Sequence, residues 1–409
     1  AGGQNKDSLI VGVFVILHVA ARLLGQAFRL ADGADPFMPI ASFLNSIFGV
    51  SQTGIHAAWW VSIGWVLYIL PYITRSKHTH FTIGPVNLGL AKQNPRGQLD
   101  TPAKVDPGAK FLHDLSWKRI LDSYACVQCN RCQDVCPANF YGRPLSPSAL
   151  EVNKRYLLKE ATFGSHPDRL LLPLTETVIS AEAVWSCTTC HACVSVCPVG
   201  NEPMADIIDI RRRLLIDGAE IDSGVQNALQ SLATNGNWMS KGKRLRGRWA
   251  KEMDFPVKNA TEEPVENLWF VGDTASFDER VIPNTKMVAR IFNQAGLDFG
   301  IMYQSESNAG NDVRRVGEEG LFEQLVEQNI EAFGKAQFKQ IVTTDPHSFN
   351  TLKNEYPQFG GKFDVNHYTV TLLKLFEEGK LTVKNKLSNY KVTFHDPCYL
   401  GRYNGGFTA

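Results

Sequence analysis

The sequence predicts a multidomain protein: transmembrane α-helices, then an all-α domain, then an α/β domain that is incomplete at its C-terminus. Three observations lead to this fold class. Two long apolar segments lie within the first 80 residues, and two cysteine runs of identical spacing lie between 126 and 197. After Glu266, short apolar runs at 268–271, 300–303, 340–343 and 392–394 alternate with helical stretches. Such alternation is typical of a layered α/β domain with parallel strands.

Composition narrows the function classes. The 409 residues are 44% hydrophobic and 20% charged, with 42 Lys plus Arg against 41 Asp plus Glu. Because the charges nearly cancel, we predict no nucleic-acid partner. Nine cysteines would indicate disulfides in a secreted protein, but eight of them fall into the two equally spaced runs. That spacing instead indicates metal clusters in a reducing compartment.

The two apolar segments, 9–30 and 55–74, are the predicted transmembrane spans. At about 1.5 Å per residue, each approaches the roughly 30 Å of a hydrocarbon core. Buried helices of a soluble domain are the alternative, but Trp59, Trp60 and Tyr72 resemble interfacial belts. Residues 31–56 contain no Lys or Arg, whereas Arg75 and several lysines follow the second span. The positive-inside rule therefore predicts an inner-membrane protein whose later domains face the cytoplasm.

The rest of the chain divides by composition. A Pro- and Gly-rich connector separates the spans from the cysteine domain, and a basic linker separates that domain from the α/β part. The linker's charges are typical of a solvated face, with a docking patch as the alternative. The predicted domains are 1–80 (end of a transmembrane domain), 81–112 (connector), 113–240 (helical cysteine domain), 241–266 (linker), 267–390 (α/β domain) and 391–409 (start of another domain).

The cysteine runs carry the strongest chemical signal. Both follow the pattern C-x2-C-x2-C-x3-C-P. In this pattern three thiolates of one run bind one cubane, and the fourth binds the cubane of the other run. Zinc is the alternative, but it does not need a third and fourth Cys at these offsets. The sequence therefore predicts a ferredoxin-like domain with two [4Fe–4S] clusters, held by Cys126, Cys129, Cys132 and Cys197, and by Cys187, Cys190, Cys193 and Cys136.

Histidines at both ends of the second span indicate haem. His56 lies at the outer end, and His78 and His80 lie at the inner end. The 22 residues from His56 to His78 extend about 33 Å along a helix, so these histidines predict b-type haems near opposite membrane faces. An interfacial His56 is the alternative. Of His78 and His80, we expect one to be an axial ligand.

The surroundings of these motifs resemble a known family. The segments 142–147 and 185–190 are similar to the helical ferredoxin domain of the heterodisulfide reductase D type, and 344–357 and 395–404 are similar to its cysteine-rich (CCG) domains. The segment 70–80 resembles the end of a nitrate-reductase gamma-type cytochrome b domain. One branch of the family, with the two parts fused, includes membrane-bound oxidoreductases that pass electrons from electron-transfer flavoprotein to menaquinone.

The sequence departs from the family at four positions. Asp273, Asn308, Asp345 and Ser348 stand where the family has cysteines in its first CCG domain, so four thiolates cannot meet there. Either this domain survives as a scaffold without a cluster, or these positions are cysteines in the gene. Cys398 lies in the run that resembles the second CCG site, for which the family implies a noncubane [4Fe–4S] cluster with ligands beyond 409. A free buried cysteine is the alternative.

The expected function is an oxidoreductase. The resemblance implies a cytoplasmic flavoprotein donor, cluster and haem relays, and a membrane quinone as acceptor. Two alternatives stay open: reduction of a heterodisulfide, and a non-catalytic electron-wiring component of a respiratory or photosynthetic complex. The predicted partners are membrane lipid, quinone, the flavoprotein and further respiratory subunits.

Overall fold

The structure is a computed structural model that describes residues 2–30, 35–102, 107–164, 166–384 and 390–405, with side chains from residue 7 onward. The N-terminal helices are α1 Gly2–Ala27, α2 Pro39–Phe48, α3 Gln52–Ile73 and α4 His80–Gly89. The cysteine domain contains α5 Trp117–Ala125, α6 Arg131–Asp134, α7 Pro137–Phe140, α8 Pro147–Phe163, α9 Leu174–Thr177, α10 Ala181–Trp185, α11 Ala192–Ser195, α12 Pro203–Ile216 and α13 Ser223–Asn235.

The α/β part follows. Its strands are β1 Lys258–Asn259, β2 Asn267–Phe270, β3 Phe299–Ile301, β4 Gln340–Thr343 and β5 Val365–His367. Its helices are α14 Asp273–Phe277, α15 Ile282–Gln294, α16 Asn311–Val316, α17 Glu319–Phe333, α18 Pro346–Asn350, α19 Tyr368–Glu377 and α20 Gly401–Asn404. Short 3-10 helices cover Lys77–Thr79, Leu112–Asp114, Pro167–Leu171, Lys243–Leu245, Trp249–Glu252, Tyr303–Ser305 and Tyr356–Phe359, and Thr351–Glu355 is a π-helix.

Helices α1 and α3 pack side by side and are long and apolar enough to cross a membrane. Only 6% and 17% of their most apolar windows are buried, so they are not core helices of the described part of the chain. Their ends are tied together by Asp7, which accepts hydrogen bonds from the Tyr72 hydroxyl (2.6 Å) and the Lys77 backbone N–H (3.0 Å). This contact fixes the position of the loop that carries His78 and His80.

The segment predicted as a connector contains helix α4. Sequence periodicity does not reveal this helix, because Gly84 and Pro85 interrupt it. Asn87 on α4 is fully buried and donates hydrogen bonds to Asp122 Oδ1 (2.8 Å) and to the Val199 carbonyl (2.9 Å). The helix is therefore held by tertiary contacts with the cysteine domain.

The α/β part is a parallel sheet of strand order β1-β3-β2-β4-β5. Leu268 and Phe270 face one hydrophobic core, and Trp269 and Val271 face another, so β2 is buried on both sides. The predicted runs at 268–271, 300–303 and 340–343 overlap β2, β3 and β4. The run 392–394 does not form a strand; Val392 is 77% exposed and has no ladder partner among the described residues.

Candidate iron–sulfur and haem sites

The two cysteine motifs fold into loops with the same unusual backbone. In the first loop Gln128 and Asn130 have φ of 59° and 62°, and in the second Thr189 and His191 have φ of 51° and 64°. Each pair flanks the second cysteine of its motif. Left-handed backbone costs free energy in residues other than Gly, and it concentrates at functional sites. Alternation of such residues also turns backbone N–H groups inward, as in the concave nests that hold Fe–S clusters.

Cysteines from both motifs meet at one cavity. Its lining includes the four thiols assigned to the first cluster, together with Cys193 of the second set. Cys197 belongs to the second motif by sequence, yet it lies beside the first loop. The thiols grouped at this cavity are Cys126, Cys129, Cys132 and Cys197.

The second set is also mutually close. Burial raises the pKa of Cys187, and the neighbouring thiols of Cys190 and Cys136 raise it further. Burial likewise raises the pKa of Cys193 well above its usual value, with Cys187 and Cys190 adding to the effect. The Cys187 sulfur accepts a hydrogen bond from the Thr189 N–H at 3.4 Å. The structure thus gathers Cys136 from the first motif with three cysteines of the second.

Burial makes these thiols hard to ionise on their own. It raises the pKa of Cys126 to about 11, with a smaller contribution from the charge of Glu151, and that of Cys132 to about 12. Thiolate is the form that binds metal, so a bound cation is needed to hold these groups ionised. No three His, Cys, Asp or Glu side chains in the described part of the chain are spaced for a single metal ion. A cubane instead distributes its thiolate ligands over several irons.

A buried arginine supports each cysteine loop by hydrogen bonds to its backbone carbonyls, and the two arginines use equivalent contacts. The Arg155 guanidinium donates to the carbonyls of Ser123 (2.8 Å), Tyr124 (3.1 Å) and Cys126 (2.7 Å). These carbonyls lie three residues before, two residues before and at the first cysteine of the motif, and they close the end of α5. Because α5 ends here, its carbonyls lack helical partners, and the guanidinium fork satisfies several of them at once.

Arg211 repeats the arrangement at the second motif. It donates to the carbonyls of Val184 (2.9 Å), Trp185 (3.5 Å) and Cys187 (2.6 Å), at the same three offsets. Sequence reasoning missed both arginines. Arg211 lies on α12 and is 95% buried, because those carbonyls bind it. The only sign of these arginines in the sequence is their position, with Arg155 29 residues after Cys126 and Arg211 24 residues after Cys187.

Cys398 lies next to the second motif. Burial raises its pKa, and the nearby Cys190 thiol contributes to the increase. Arg402 Nε donates to the Cys190 carbonyl at 2.8 Å, and the Tyr403 hydroxyl donates to the Thr189 carbonyl at 2.5 Å. The segment 398–404 is therefore docked on the second cysteine loop.

The four positions that replace family cysteines converge on a cavity of about 440 Å³ at the carboxyl ends of β2 and β4. They form two hydrogen-bonded pairs. Asn308 Nδ2 donates to Asp273 Oδ2 at 2.7 Å, and Ser348 Oγ donates to Asp345 Oδ2 at 2.6 Å. Behind them, buried Arg246 pairs with Asp273 at 2.7 Å and with Glu306 at 2.8 Å. These side chains satisfy one another.

The three candidate haem histidines differ in their surroundings. His56 is exposed on α3. Both ring nitrogens of His78 are buried and have no hydrogen-bond partner among the described residues. His80 Nδ1 lies 2.7 Å from the Lys77 carbonyl. Since a carbonyl only accepts, Nδ1 carries the proton and Nε2 is the free nitrogen, which is the usual orientation of a metal-binding histidine. Both inner histidines fit axial ligation.

Two parts of the chain match known protein domains. Residues 125–201 match a 4Fe–4S dicluster domain, and 276–353 match a cysteine-rich domain. The chain is 36% identical to a probable iron–sulfur-binding oxidoreductase, FadF, of Bacillus subtilis, over 97% of this chain and 63% of that protein. It is 30% identical to an EtfAB:quinone oxidoreductase of Syntrophomonas wolfei, over 97% of this chain and 61% of the relative.

A third relative is the D-type component of the dihydromethanophenazine:CoB–CoM heterodisulfide reductase of Methanosarcina barkeri, 28% identical over 72% of this chain and 73% of that relative. No solved structure matches the chain. The chain spans about three fifths of the length of the first two relatives. All three relatives are named as oxidoreductases or reductases, and FadF is named as iron–sulfur-binding. Together with the two domain matches, they support an iron–sulfur oxidoreductase similar to the D-type heterodisulfide reductases.

Proposed function

We propose that this protein is a membrane-bound oxidoreductase that passes electrons from a cytoplasmic flavoprotein, electron-transfer flavoprotein, through two [4Fe–4S] clusters and b-type haem to menaquinone. The observation that carries the proposal is the pair of cysteine loops with left-handed residues at matching positions, together with Cys197 of the second motif beside the first loop. When bound, such clusters each accept and release one electron. The protein's own contribution is to hold eight thiolates in two adjacent sets, most of them partly buried.

The membrane part of the proposal is supported by α1 and α3. Both are apolar over a length that spans a bilayer, and both present apolar side chains outward, such as Leu9 (67% exposed) and Leu67 (63% exposed). The basic residues that follow α3 favour a cytoplasmic position for the cysteine and α/β domains. His78 and His80, directly after this helix, would then hold haem at the cytoplasmic side, with His56 at the other side.

The donor and acceptor are supported by resemblance. One relative is named an EtfAB:quinone oxidoreductase, and the similarity covers nearly all of this chain. We propose that the first CCG-type domain acts as a scaffold, because its four replacing side chains are already paired with each other and with Arg246. Cys398 would begin a further cluster site, next to the second motif.

Reconstitution tests the whole proposal. The intact protein, purified anaerobically, is mixed with reduced electron-transfer flavoprotein and a menaquinone analogue. We expect bleaching of the iron–sulfur absorbance, reduction of b-type haem bands and formation of quinol. A Cys132→Ser variant, which removes a half-buried thiol of the first set, should form quinol far more slowly.

Each negative outcome of this experiment contradicts a different part of the proposal. Reduced clusters and haem without quinol would favour the electron-wiring role. A haemochrome spectrum without b-type bands would refute the haem step. Iron and acid-labile sulfide near zero in air-excluded material would refute the function altogether.

A further inference from the structure

We propose that the two cysteine motifs have fixed places in the electron path. The first motif is the exit toward the membrane and is joined by Arg155 to the His80 loop. The second motif is the entrance on the side of the α/β domain, to which Arg211 joins it. The inference rests on the proposed function and deepens it, because it assigns the order of the relays and a positioning residue at each end.

The first line of support is the fourth contact of each arginine. Each guanidinium uses Nε and Nη2 for the three carbonyls of its own motif and directs Nη1 outward. Arg155 Nη1 donates to the Lys77 carbonyl at 3.3 Å, and Arg211 Nη1 donates to the Arg315 carbonyl at 3.0 Å. The three carbonyl contacts within the motif are equivalent at the two arginines, so the Nη1 contacts are what distinguish the two motifs.

On the membrane side, one carbonyl completes a hydrogen-bonded chain. The Lys77 carbonyl accepts from His80 Nδ1 at 2.7 Å and from Arg155 at 3.3 Å, and Arg155 also binds the Cys126 carbonyl. The chain therefore runs from a candidate haem ligand to the backbone carbonyl of Cys126, whose thiol belongs to the first set. Linked hydrogen bonds polarise one another, so a change at one end is felt at the other.

A second and independent connection reaches the same thiol set. Asn87, on the helix that begins at His80, donates to Asn201 Oδ1 at 3.2 Å, and the Asn201 N–H donates to Cys197 Sγ at 3.3 Å. Cys197 and Cys126 line the same cavity. Both connections from the His80 segment thus end at the first set.

The loop 187–193, which carries the first three cysteines of the second motif, has contacts with the α/β side of the molecule. Tyr403 and Arg402 bind backbone carbonyls of that loop, and the Arg315 guanidinium lies over the rings of Tyr399 (5.4 Å) and Tyr403 (5.7 Å). Arg315 itself is held by buried Glu355 of the α/β domain. An electron that enters beside Cys398 would reach the second set first.

The test compares Arg155→Lys with Arg211→Lys in the intact protein isolated from membranes. Lysine keeps the charge but cannot span four carbonyls. Without Arg155, the Lys77 carbonyl becomes a stronger acceptor for the His80 N–H, which makes the imidazole more basic and stabilises ferric haem. We expect the ratio of reduced to oxidised haem at a fixed potential to fall about tenfold, the equivalent of one charged hydrogen bond.

Arg211→Lys is the matched control, because it breaks the equivalent inner contacts. It should shift the midpoint potential of one cluster and leave the haem potential unchanged. A haem shift of equal size in Arg211→Lys, or no shift in a loaded Arg155→Lys protein, would overturn the inference alone. Absence of b haem would overturn the inference and the proposed function together.

A wild-type measurement covers the case in which Arg155→Lys does not assemble. Irradiation of the frozen, oxidised protein injects electrons that cannot redistribute, so some clusters are reduced while the haem stays ferric. Ferric low-spin haem is paramagnetic and speeds the electron-spin relaxation of a nearby reduced cluster. Only one of the two cluster signals should show this enhancement, and it should be the signal that survives in Cys136→Ser. Enhancement of the signal that survives in Cys126→Ser would place the second set next to the membrane and refute the order.

Discussion

The cysteine domain and the α/β domain differ in whether the polar groups of their sites have partners within the protein. Around the cysteine loops, burial raises the pKa of Cys126 to about 11, and left-handed residues keep the backbone open toward the thiols. In the α/β domain, Asp273, Asn308, Asp345 and Ser348 meet at one cavity, where they bond in pairs. The first arrangement needs an external cation for its charge to be stable, whereas the second is complete in itself. The difference is what we expect if the first is a cluster site and the second the proposed scaffold.

The largest expected effect concerns the crosswise thiol sets. Cys197→Ser should abolish the same electron paramagnetic resonance signal as Cys126→Ser and remove about half of the iron and sulfide expected for the two proposed cubanes. Cys136→Ser should abolish the other signal. Ser186→Ala, beside the second motif, controls for a substitution that removes no thiol and should leave the iron content unchanged. If Cys197→Ser and Cys136→Ser lost the same signal, the crosswise sets would be wrong.

The next effect tests whether the α/β cavity is self-sufficient. Asp273→Ala removes one carboxylate from Arg246, whose side chain is only 3% exposed. Because loss of one partner leaves buried charge without compensation, we expect the free energy of unfolding to fall by about 3 kcal/mol. Denaturant unfolding followed by the fluorescence of buried Trp249 and Trp269 measures it.

Lys335→Ala is the control for Asp273→Ala, because it breaks an ion pair with Glu331 whose side chains are 66% and 72% exposed. Lys335→Ala should lower the free energy of unfolding by less than about 0.5 kcal/mol. Equal losses in the two variants would contradict the view that Asp273 closes a buried network. Codons for cysteine at the four positions would do so independently.

A smaller effect tests how the cysteine domain is attached to the helix after the spans. Asn87→Ala removes hydrogen bonds to Asp122 and to the Val199 carbonyl at a fully buried position. We expect a loss of about 1–3 kcal/mol, because these acceptors become unsatisfied. Circular dichroism of the detergent-solubilised protein in denaturant measures it. Asn94→Ala, at an exposed position of the same segment, should change little, and equal curves would show that α4 does not depend on Asn87.

The smallest effect is a pH dependence in the α/β domain. Burial opposes protonation of His347, but its hydrogen bond with Asp345 and the charge of Asp312 raise its pKa overall. The stabilisation is therefore fully present below the unfolded pKa of about 6.5 and is lost as pH rises through the higher folded pKa.

Since the His347 side chain is 44% exposed, the loss should be below about 1 kcal/mol. Unfolding free energies at pH 6 and pH 8 measure the slope. His347→Gln should remove it, while His166→Gln, at an exposed position, should not. A slope unchanged in His347→Gln would assign the dependence to another group.

Local sequence patterns accounted for much of this fold. The runs at 268–271 and 340–343 overlap the strands β2 and β4, and the helical stretches predicted between the apolar runs include helices α15 and α17. Those signals are local, because periodicity reports which side of an element is buried. The strand predicted at 392–394 was wrong for the same reason, because an apolar run forms a strand only where a neighbouring strand supplies hydrogen-bond partners.

The sequence by itself determined the eight-thiol pattern and the apolar length of the two spans, because both depend only on spacing along the chain. Tertiary structure decided how these parts are connected. Arg155, Arg211 and Asn87 bind backbone carbonyls that become available only where a helix ends or two segments meet, so no local pattern marks them. The same contacts orient the first motif toward the His80 loop and the second toward the α/β domain.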